Sequence, residues 1–167
     1  MQEAEYIALI KANHARLVRI CRFYEREQDA QEDLYQEMLF QIWRSRHRYR
    51  GEAKADTWLY RIAVNTALTH VRSASNRARH VGQGASGMDP AFQPQIEDNL
   101  DHQTRQIALY KAIDGLSQVE RTLILLYLEE RSYQEMAGIM GLSESNVGVR
   151  LNRIKKKLAQ RIKGKVS

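Results

Sequence analysis

The amino-acid sequence predicts an all-α fold in which a flexible linker joins two small helical domains. Apolar side chains recur at helical spacing along most of the 167 residues, and no segment alternates convincingly in the manner of a strand. The helix-start signal Ser-x-x-Glu occurs at Ser117 and again at Ser132. Residues 75–99 hold three glycines and both prolines of the chain, a composition typical of a linker. We therefore predict domains at residues 1–74 and 100–167.

The first domain is predicted to contain three or four helices, of which three are clearly amphipathic. Apolar spacing predicts them at about residues 3–25, 29–44 and 55–72. Residues 44–54 are predicted to form a loop or a bent helix end, which Gly51 interrupts. The predicted stripes comprise Ile7, Ile10, His14, Leu17, Cys21 and Tyr24 in the first helix, Leu34, Met38 and Ile42 in the second, and Trp58, Leu59, Ile62, Thr66 and Thr69 in the third.

The second domain is predicted to contain four helices, of which the last two carry the clearest local signals. The first two cover residues 100–115 and the segment that follows Ser117. Ser132 starts the third helix as a cap, and Gly141 can adopt the left-handed conformation that ends it. Ser143 can cap the fourth helix. The apolar stripe of that fourth helix comprises Val147, Leu151, Ile154 and Leu158.

These last two helices match the helix-turn-helix pattern, in which two short helices flank a glycine-containing turn and the second is polar and basic. An ordinary helical hairpin with a solvated basic face would share the spacing. The agreement of caps, turn and charge placement favours the DNA-binding interpretation.

Charge is distributed unevenly along the chain. Residues 144–167 carry a net charge of +7, whereas residues 89–135 carry −5. The segment RSRHRYR at residues 44–50 contains four arginines and no acid. Two basic zones on either side of an acidic middle indicate two places for a polyanion such as DNA.

The sequence predicts no enzyme, no cofactor and no metal, because no motif for hydrolytic, redox or phosphate-loop chemistry occurs. His14 and Cys21 lie seven residues apart on one helical face and could share a metal, but they fit a packed stripe better. A single cysteine allows no internal disulfide and favours a reducing cytoplasm. The chain has no apolar run of membrane-spanning length and no secretory signal, so no membrane insertion is expected.

Two stretches resemble bacterial sigma factors of the extracytoplasmic-function group. AQEDLYQEMLFQIW at residues 30–43 and YRGEAKADTWLYRIAVNTALTHVR at residues 49–72 are similar to their region two. LSQVERTLILLYLEERSYQEMAGIMGLSESNVGVRLNRIKKKL at residues 116–158 is similar to their region four. The resemblance implies a non-catalytic subunit that joins core RNA polymerase, recognises a promoter and helps to melt it. The implied partners are the polymerase (its largest-subunit coiled coil and its flap region), promoter DNA and an anti-sigma factor.

The resemblance also implies roles for residues of the first domain. The polar face of the second helix would dock on the coiled coil, and the alternative is that this face is only solvated. This candidate polymerase face comprises Asp33, Gln36, Glu37 and Phe40. The basic loop and third helix would handle the minus-ten element, where aromatic rings stack on bases and arginines hold phosphates. The candidates are Tyr49, Arg50, Arg61, Asn65 and Thr66, whereas Trp58 fits the apolar core better.

In the second domain, the last helix resembles the reader of the minus-thirty-five element. Arg153 and Asn152 could read base edges, since Arg suits guanine and Asn suits adenine. The candidates for phosphate contacts are Ser145, Asn146, Arg150, Lys155 and Lys156. The chain departs from the family pattern at Leu39, where Phe is usual, and at Gly148, where a basic or polar residue is common. Gly148 removes one possible contact and is expected to soften the helix.

Two other functions compete with the sigma-factor hypothesis. A stand-alone, dimeric helix-turn-helix regulator would explain the second domain but would leave the first without a role. An interaction protein could keep the polymerase face without binding DNA, in which case replacing Arg150 and Arg153 would leave its function unchanged.

Overall fold

The computed structural model describes the backbone of residues 1–80 and 100–166, which fall into two compact units on either side of the gap. Within these residues every regular element is helical, so the predicted all-α fold is confirmed. No helix in the two described ranges is both long and apolar enough to cross a membrane. The elements are α1 (Glu3–Tyr24), α2 (Gln28–Ser45), a 3₁₀ turn (Arg46–Arg48), α3 (Ala55–His80), α4 (Leu100–Asp114), α5 (Gln118–Leu128), α6 (Tyr133–Met140) and α7 (Glu144–Val166).

In the first unit, α1, α2 and α3 pack against one another around a shared apolar core. The predicted stripe of α2 is confirmed, because Leu34, Met38 and Ile42 are fully buried. The stripe of α1 was only partly right, since Ile7 is 42% exposed and His14 is exposed as well. Both α2 and α3 cover α1, so its buried arc is broad and includes Ile20 and Phe23 instead.

The third helix differs from its prediction in two ways. Its buried side is formed largely by Leu59 and Tyr60 with Ala63, Val64 and Ala67, while Trp58 and Ile62 are half-buried and Thr69 is exposed. Small alanine side chains allow neighbouring helices to approach closely. The prediction followed only the spacing of large apolar residues and therefore missed the buried alanines.

The end of α3 was also predicted wrongly, because the helix continues past Arg72 to His80. Residues 73–80 contain neither glycine nor proline, so nothing in them stops the helix. Residues 75–80 of the predicted linker are thus helical, and the remainder, residues 81–99, lies outside the described residues.

In the second unit, α7 is the element on which α4, α5 and α6 pack. The predicted stripe of α7 is confirmed, since Val147, Leu151, Ile154 and Leu158 are buried. Polar contacts tie the rest of α7 in place: the Arg161 guanidinium donates to the Ala112 carbonyl at 3.0 Å, and the Lys157 ammonium lies 2.7 Å from the Glu120 carboxylate.

The Lys157–Glu120 pair predicts a pH-dependent contribution to stability. Burial opposes ionisation of Glu120, but hydrogen bonds from Lys157 and Ser117 outweigh it and lower the pKa of this carboxyl. A lowered folded-state pKa stabilises the fold above the unfolded pKa, and that stability disappears as pH falls through the folded value. Because both side chains are partly exposed, Lys157→Met is expected to lower the free energy of unfolding at pH 7 by only about 0.2–1 kcal/mol.

Urea unfolding of this variant and the wild type between pH 7 and pH 3 measures the effect. The deficit should shrink below about pH 4, where the carboxyl is protonated in the unfolded chain. Lys156→Met, at the neighbouring exposed lysine, is the matched control and should show no such pH dependence. A deficit of equal size at every pH would contradict the ion-pair explanation.

Candidate nucleic-acid interface

Local hydrogen bonds build the turn between α6 and α7 as the sequence predicted. The Glu135 backbone N–H donates to the Ser132 hydroxyl at 3.1 Å, and the Ser132 N–H donates to the Glu135 carboxylate at 2.9 Å. Gly141 ends α6 with a φ of 67°, in the left-handed region. The Asn146 N–H donates to the Ser143 hydroxyl at 3.2 Å, which caps α7. The helix-turn-helix geometry is therefore present.

The left-handed conformation of Gly141 predicts a cost for any side chain at that position. Neither Gly141 nor Gly138 has any atom within 4 Å of an added Cβ, so the two positions differ in backbone conformation and not in space. Gly141→Ala is expected to lower the free energy of unfolding by about 1–2 kcal/mol. Gly138→Ala, inside α6, is expected to raise it by up to about 1 kcal/mol. Thermal and urea unfolding of both variants measure this contrast. A Gly138→Ala variant that is less stable than the wild type, beside a Gly141→Ala variant that is not, would contradict the prediction.

The outward side of α7 presents every candidate DNA contact of the second unit to solvent. Arg150 donates to the Asn146 side chain at 3.0 Å, a pairing that holds both residues near the start of the helix. Asn152 and Arg153 have no side-chain partner in the part of the chain that the structure describes, so their donors can meet an external ligand. The exposed candidates are Ser145, Asn146, Arg150, Asn152, Arg153, Lys155 and Lys156.

Sequence reasoning missed two aromatic neighbours of α7. The Lys155 ammonium lies 4.2 Å from the centre of the Tyr127 ring, a cation–π contact that orients this lysine. A Cβ at position 148 would lie 3.4 Å from Cε2 of Tyr133, so the Tyr133 ring covers the backbone of Gly148. This distance is an ordinary van der Waals contact, so lack of space does not explain the departure from the family pattern at Gly148. Val149, on the same helix, was also overlooked and is 50% exposed.

In the first unit, aromatic contacts hold the basic loop after α2. The Arg46 guanidinium lies 3.5 Å from the centre of the Trp43 ring. The Tyr49 and Trp58 rings are 5.2 Å apart, and the Tyr49 hydroxyl donates to the Ala53 carbonyl at 2.9 Å. Both rings are half-buried, whereas Arg50 is exposed. The loop therefore combines an aromatic pair with a solvent-facing arginine, the two kinds of side chain that single-strand binding proteins commonly use.

A groove of about 500 Å³ between α2 and α3 brings some candidates together. Asn65 and Thr66 line it from α3, and Glu37 lines it from α2. Asn65 is exposed, but Thr66 is only 9% exposed and its hydroxyl donates to the Ile62 carbonyl at 2.8 Å. Thr66 can therefore offer a ligand an acceptor oxygen more readily than a donor. Arg61 is exposed on the same helix but does not line this groove.

The candidate polymerase face forms one continuous strip on α2. Asp33, Gln36 and Glu37 are exposed, and Phe40 is 55% exposed beside them. These positions are three or four residues apart, so they share one side of the helix. The Gln41 amide donates to the Glu37 carboxylate at 2.7 Å and helps to fix it. An acidic strip with an exposed phenyl ring suits a basic partner surface that has an apolar patch.

Several titratable groups near these surfaces are buried or paired with a neighbouring side chain. The His70 ring also lines the groove, and it lies 3.5 Å from the Glu25 carboxylate. Burial raises the pKa of Glu25, and the nearby His70 lowers it by a smaller amount. Cys21 is buried, and burial raises the pKa of its thiol to about 12. His14 instead lies 2.7 Å from the Tyr35 hydroxyl. Among the described residues, no three potential metal ligands lie close enough to hold an ion.

The two units together define a helical, DNA-binding class of protein with a helix-turn-helix unit after a three-helix unit. Residues 9–77 match the family described as Sigma-70 region 2, and residues 106–158 match the one described as Sigma-70, region 4. The two matches cover most of the chain, which therefore belongs to the sigma-70 family.

Known relatives are moderately similar to the chain. It is 28% identical over 150 residues to the ECF RNA polymerase sigma factor SigG of Mycobacterium tuberculosis, covering 76% of this chain but only 40% of that protein. It is 29% identical over 138 residues to the ECF RNA polymerase sigma-E factor of Haemophilus influenzae, covering 78% and 73% of the two chains. The sigma factor RpoE, solved in complex with the anti-sigma factor NepR from Bartonella quintana, shares the fold at 23% identity, with a TM-score of 0.66 over 96% of each chain.

Proposed function

We propose that this chain is an alternative sigma factor that binds core RNA polymerase and directs promoter-specific initiation of transcription. The observation that carries the proposal is the presence, in one chain and in order, of a region-two match and a region-four match. Each match coincides with a unit whose exposed residues suit the corresponding partner. The protein itself catalyses no reaction and needs no cofactor.

Each surface has a role in this proposal. The strip around Asp33 and Glu37 on α2 docks on the coiled coil of the largest polymerase subunit. The loop at Tyr49 and Arg50, together with Arg61, Asn65 and Thr66 of α3, holds the minus-ten element as it opens. The helix α7 enters the major groove of the minus-thirty-five element, and the second unit also contacts the flap region of the polymerase.

The chemistry of the exposed groups supports this proposed assignment of roles. Charged and amide groups on α2 set orientation and association rate on a basic surface. Stacking on aromatic rings stabilises unpaired bases by about 1–3 kcal/mol each, which offsets part of the cost of melting. Arg150 and its neighbours hold phosphates, whereas Asn152 and Arg153 read base edges. We further propose that an anti-sigma factor covers these surfaces when the protein is inactive.

Run-off transcription with purified core RNA polymerase tests the proposal. Addition of the full chain should produce transcripts from a specific set of genomic promoters, and core polymerase alone should not. Absence of any promoter-dependent transcript despite tight binding to core polymerase would overturn it. A stand-alone dimeric regulator remains the competing function, but it gives no role to the first unit. A stable dimer that binds duplex DNA tightly and does not bind core polymerase would favour that alternative.

A further inference from the structure

Val149 occupies an unusual position on α7. It is 50% exposed, whereas Val147, Leu151 and Ile154 on the same helix are at most 1% exposed. Each residue turns the helix by about 100°, so Val149 points nearly opposite to this buried stripe. Its side chain therefore lies near the middle of the outward side of the helix and contributes little to the apolar core.

The neighbours of Val149 on that side are all polar. Residues three and four positions away share a helix face, and here they are Ser145, Asn146, Asn152 and Arg153, each of them exposed. A single exposed valine is ordinary on a protein surface. A β-branched residue is, however, a poor choice for an exposed helix position, where it gains no packing and lowers helix propensity. What distinguishes Val149 is its place at the centre of the face that is proposed to enter the major groove.

The chemistry of the major groove indicates a role for this position. Among the four bases, only thymine presents a methyl group there, at its C5 position. The valine side chain has two methyl groups and neither donor nor acceptor. Against guanine, adenine or cytosine it would cover polar base atoms without replacing their hydrogen bonds to water, which is unfavourable. Against thymine it removes apolar surface of both partners from water.

We infer that Val149 is a specificity-determining residue that recognises the 5-methyl group of a thymine in the upstream promoter element. Asn152 and Arg153 then read the base edges on either side of this contact. The inference rests on the proposed function, because it requires α7 to enter the major groove of promoter DNA.

A methyl-deletion experiment on the holoenzyme tests this inference. The full chain and core RNA polymerase first select promoter fragments, and each thymine of the upstream element is then replaced by deoxyuridine, which lacks only the methyl group. Loss of one buried methyl corresponds to about a fourfold loss of affinity. The wild-type holoenzyme should show this loss at one or two thymines. Val149→Ala should bind the thymine promoter about fourfold more weakly and should no longer respond to the same deoxyuridine.

Two control variants separate this effect from general weakening. Val149→Thr keeps the shape and one methyl group and should retain part of the response. Arg150→Ala removes a candidate phosphate contact, so it should weaken binding to all sequences and leave the deoxyuridine response intact. Val149 is exposed, so neither substitution there should change the circular dichroism or lower the melting temperature appreciably, and Val149→Ala should raise it slightly because alanine favours the helix.

The outcomes distinguish the inference from the proposed function. An upstream element without thymine, no response to deoxyuridine at any position, or an unchanged response in Val149→Ala would overturn the role of Val149. Promoter-specific transcription would still stand in each of those cases. If the holoenzyme selects no promoter at all, both the inference and the proposed function fail.

Discussion

Replacing Arg153 by Ala is expected to weaken promoter binding by the holoenzyme by about 1–3 kcal/mol, or roughly fivefold to 150-fold. Arg153 is exposed on the outward side of α7, and its guanidinium has no partner among the described residues. A guanidinium in the major groove donates two parallel hydrogen bonds to guanine. Alanine at this position cannot form them. The base preference at one position of the upstream element should relax at the same time.

Quantitative binding of the holoenzyme to single-base promoter variants measures both effects. Lys156→Ala is the matched control, because it removes a nearby exposed cation with a proposed phosphate contact. It should weaken all promoter variants uniformly and lower the salt dependence of binding. An Arg153→Ala holoenzyme that keeps its full base preference would show that this residue does not read sequence.

Reversing the charge of Asp33 and Glu37 together is expected to weaken binding to core RNA polymerase at least about a hundredfold. Juxtaposed like charges at an interface cost several kcal/mol, and both carboxylates belong to the exposed strip on α2. The apolar core of the first unit should be unaffected, since Leu34, Met38 and Ile42 line the opposite side of the same helix. Transcription from every promoter should fall together, because the defect precedes DNA recognition.

Competition binding to core polymerase, with circular dichroism as a check of folding, measures this loss. Glu3→Lys combined with Glu27→Lys changes the net charge equally at exposed acidic residues outside the strip. That control should bind within a few-fold of the wild type. Equal loss in both double variants would mean that overall charge, and not this strip, governs association.

The helix-turn-helix unit was predictable because its determinants are local. Ser132, Gly141 and Ser143 act within a few residues of themselves, and each was found in its predicted role. The stripe of α7 was equally clear, because one partner surface covers it and the large apolar residues keep a regular spacing.

The three-helix unit was harder to predict because its determinants are tertiary. Both α2 and α3 pack on α1, so the buried side of α1 includes Ile20 but leaves Ile7 exposed. Burial of Ala63 and Ala67 depends on close helix approach, which composition does not signal. The predicted end of α3 near residue 72 was wrong, because the sequence contains no glycine or proline after it until Gly82 and the helix continues to His80.

The candidate sites show the same contrast. Exposure of Asn152 and Arg153 followed directly from the helical spacing of α7. The near-complete burial of Thr66 did not follow from spacing, and neither did the contacts of Tyr133 with Gly148 and Lys155 with Tyr127. These pairings lie between different helices, so only the packed structure identifies them.

The most direct measurement is sequencing of the genomic fragments that the chain retains with and without core RNA polymerase. With core polymerase, we predict two conserved elements at a fixed spacing, and the Asp33 and Glu37 double variant should lose both. Without core polymerase, we predict no enriched element. Retention of one palindromic element by the chain alone, unchanged when core polymerase is added, would contradict the sigma-factor function.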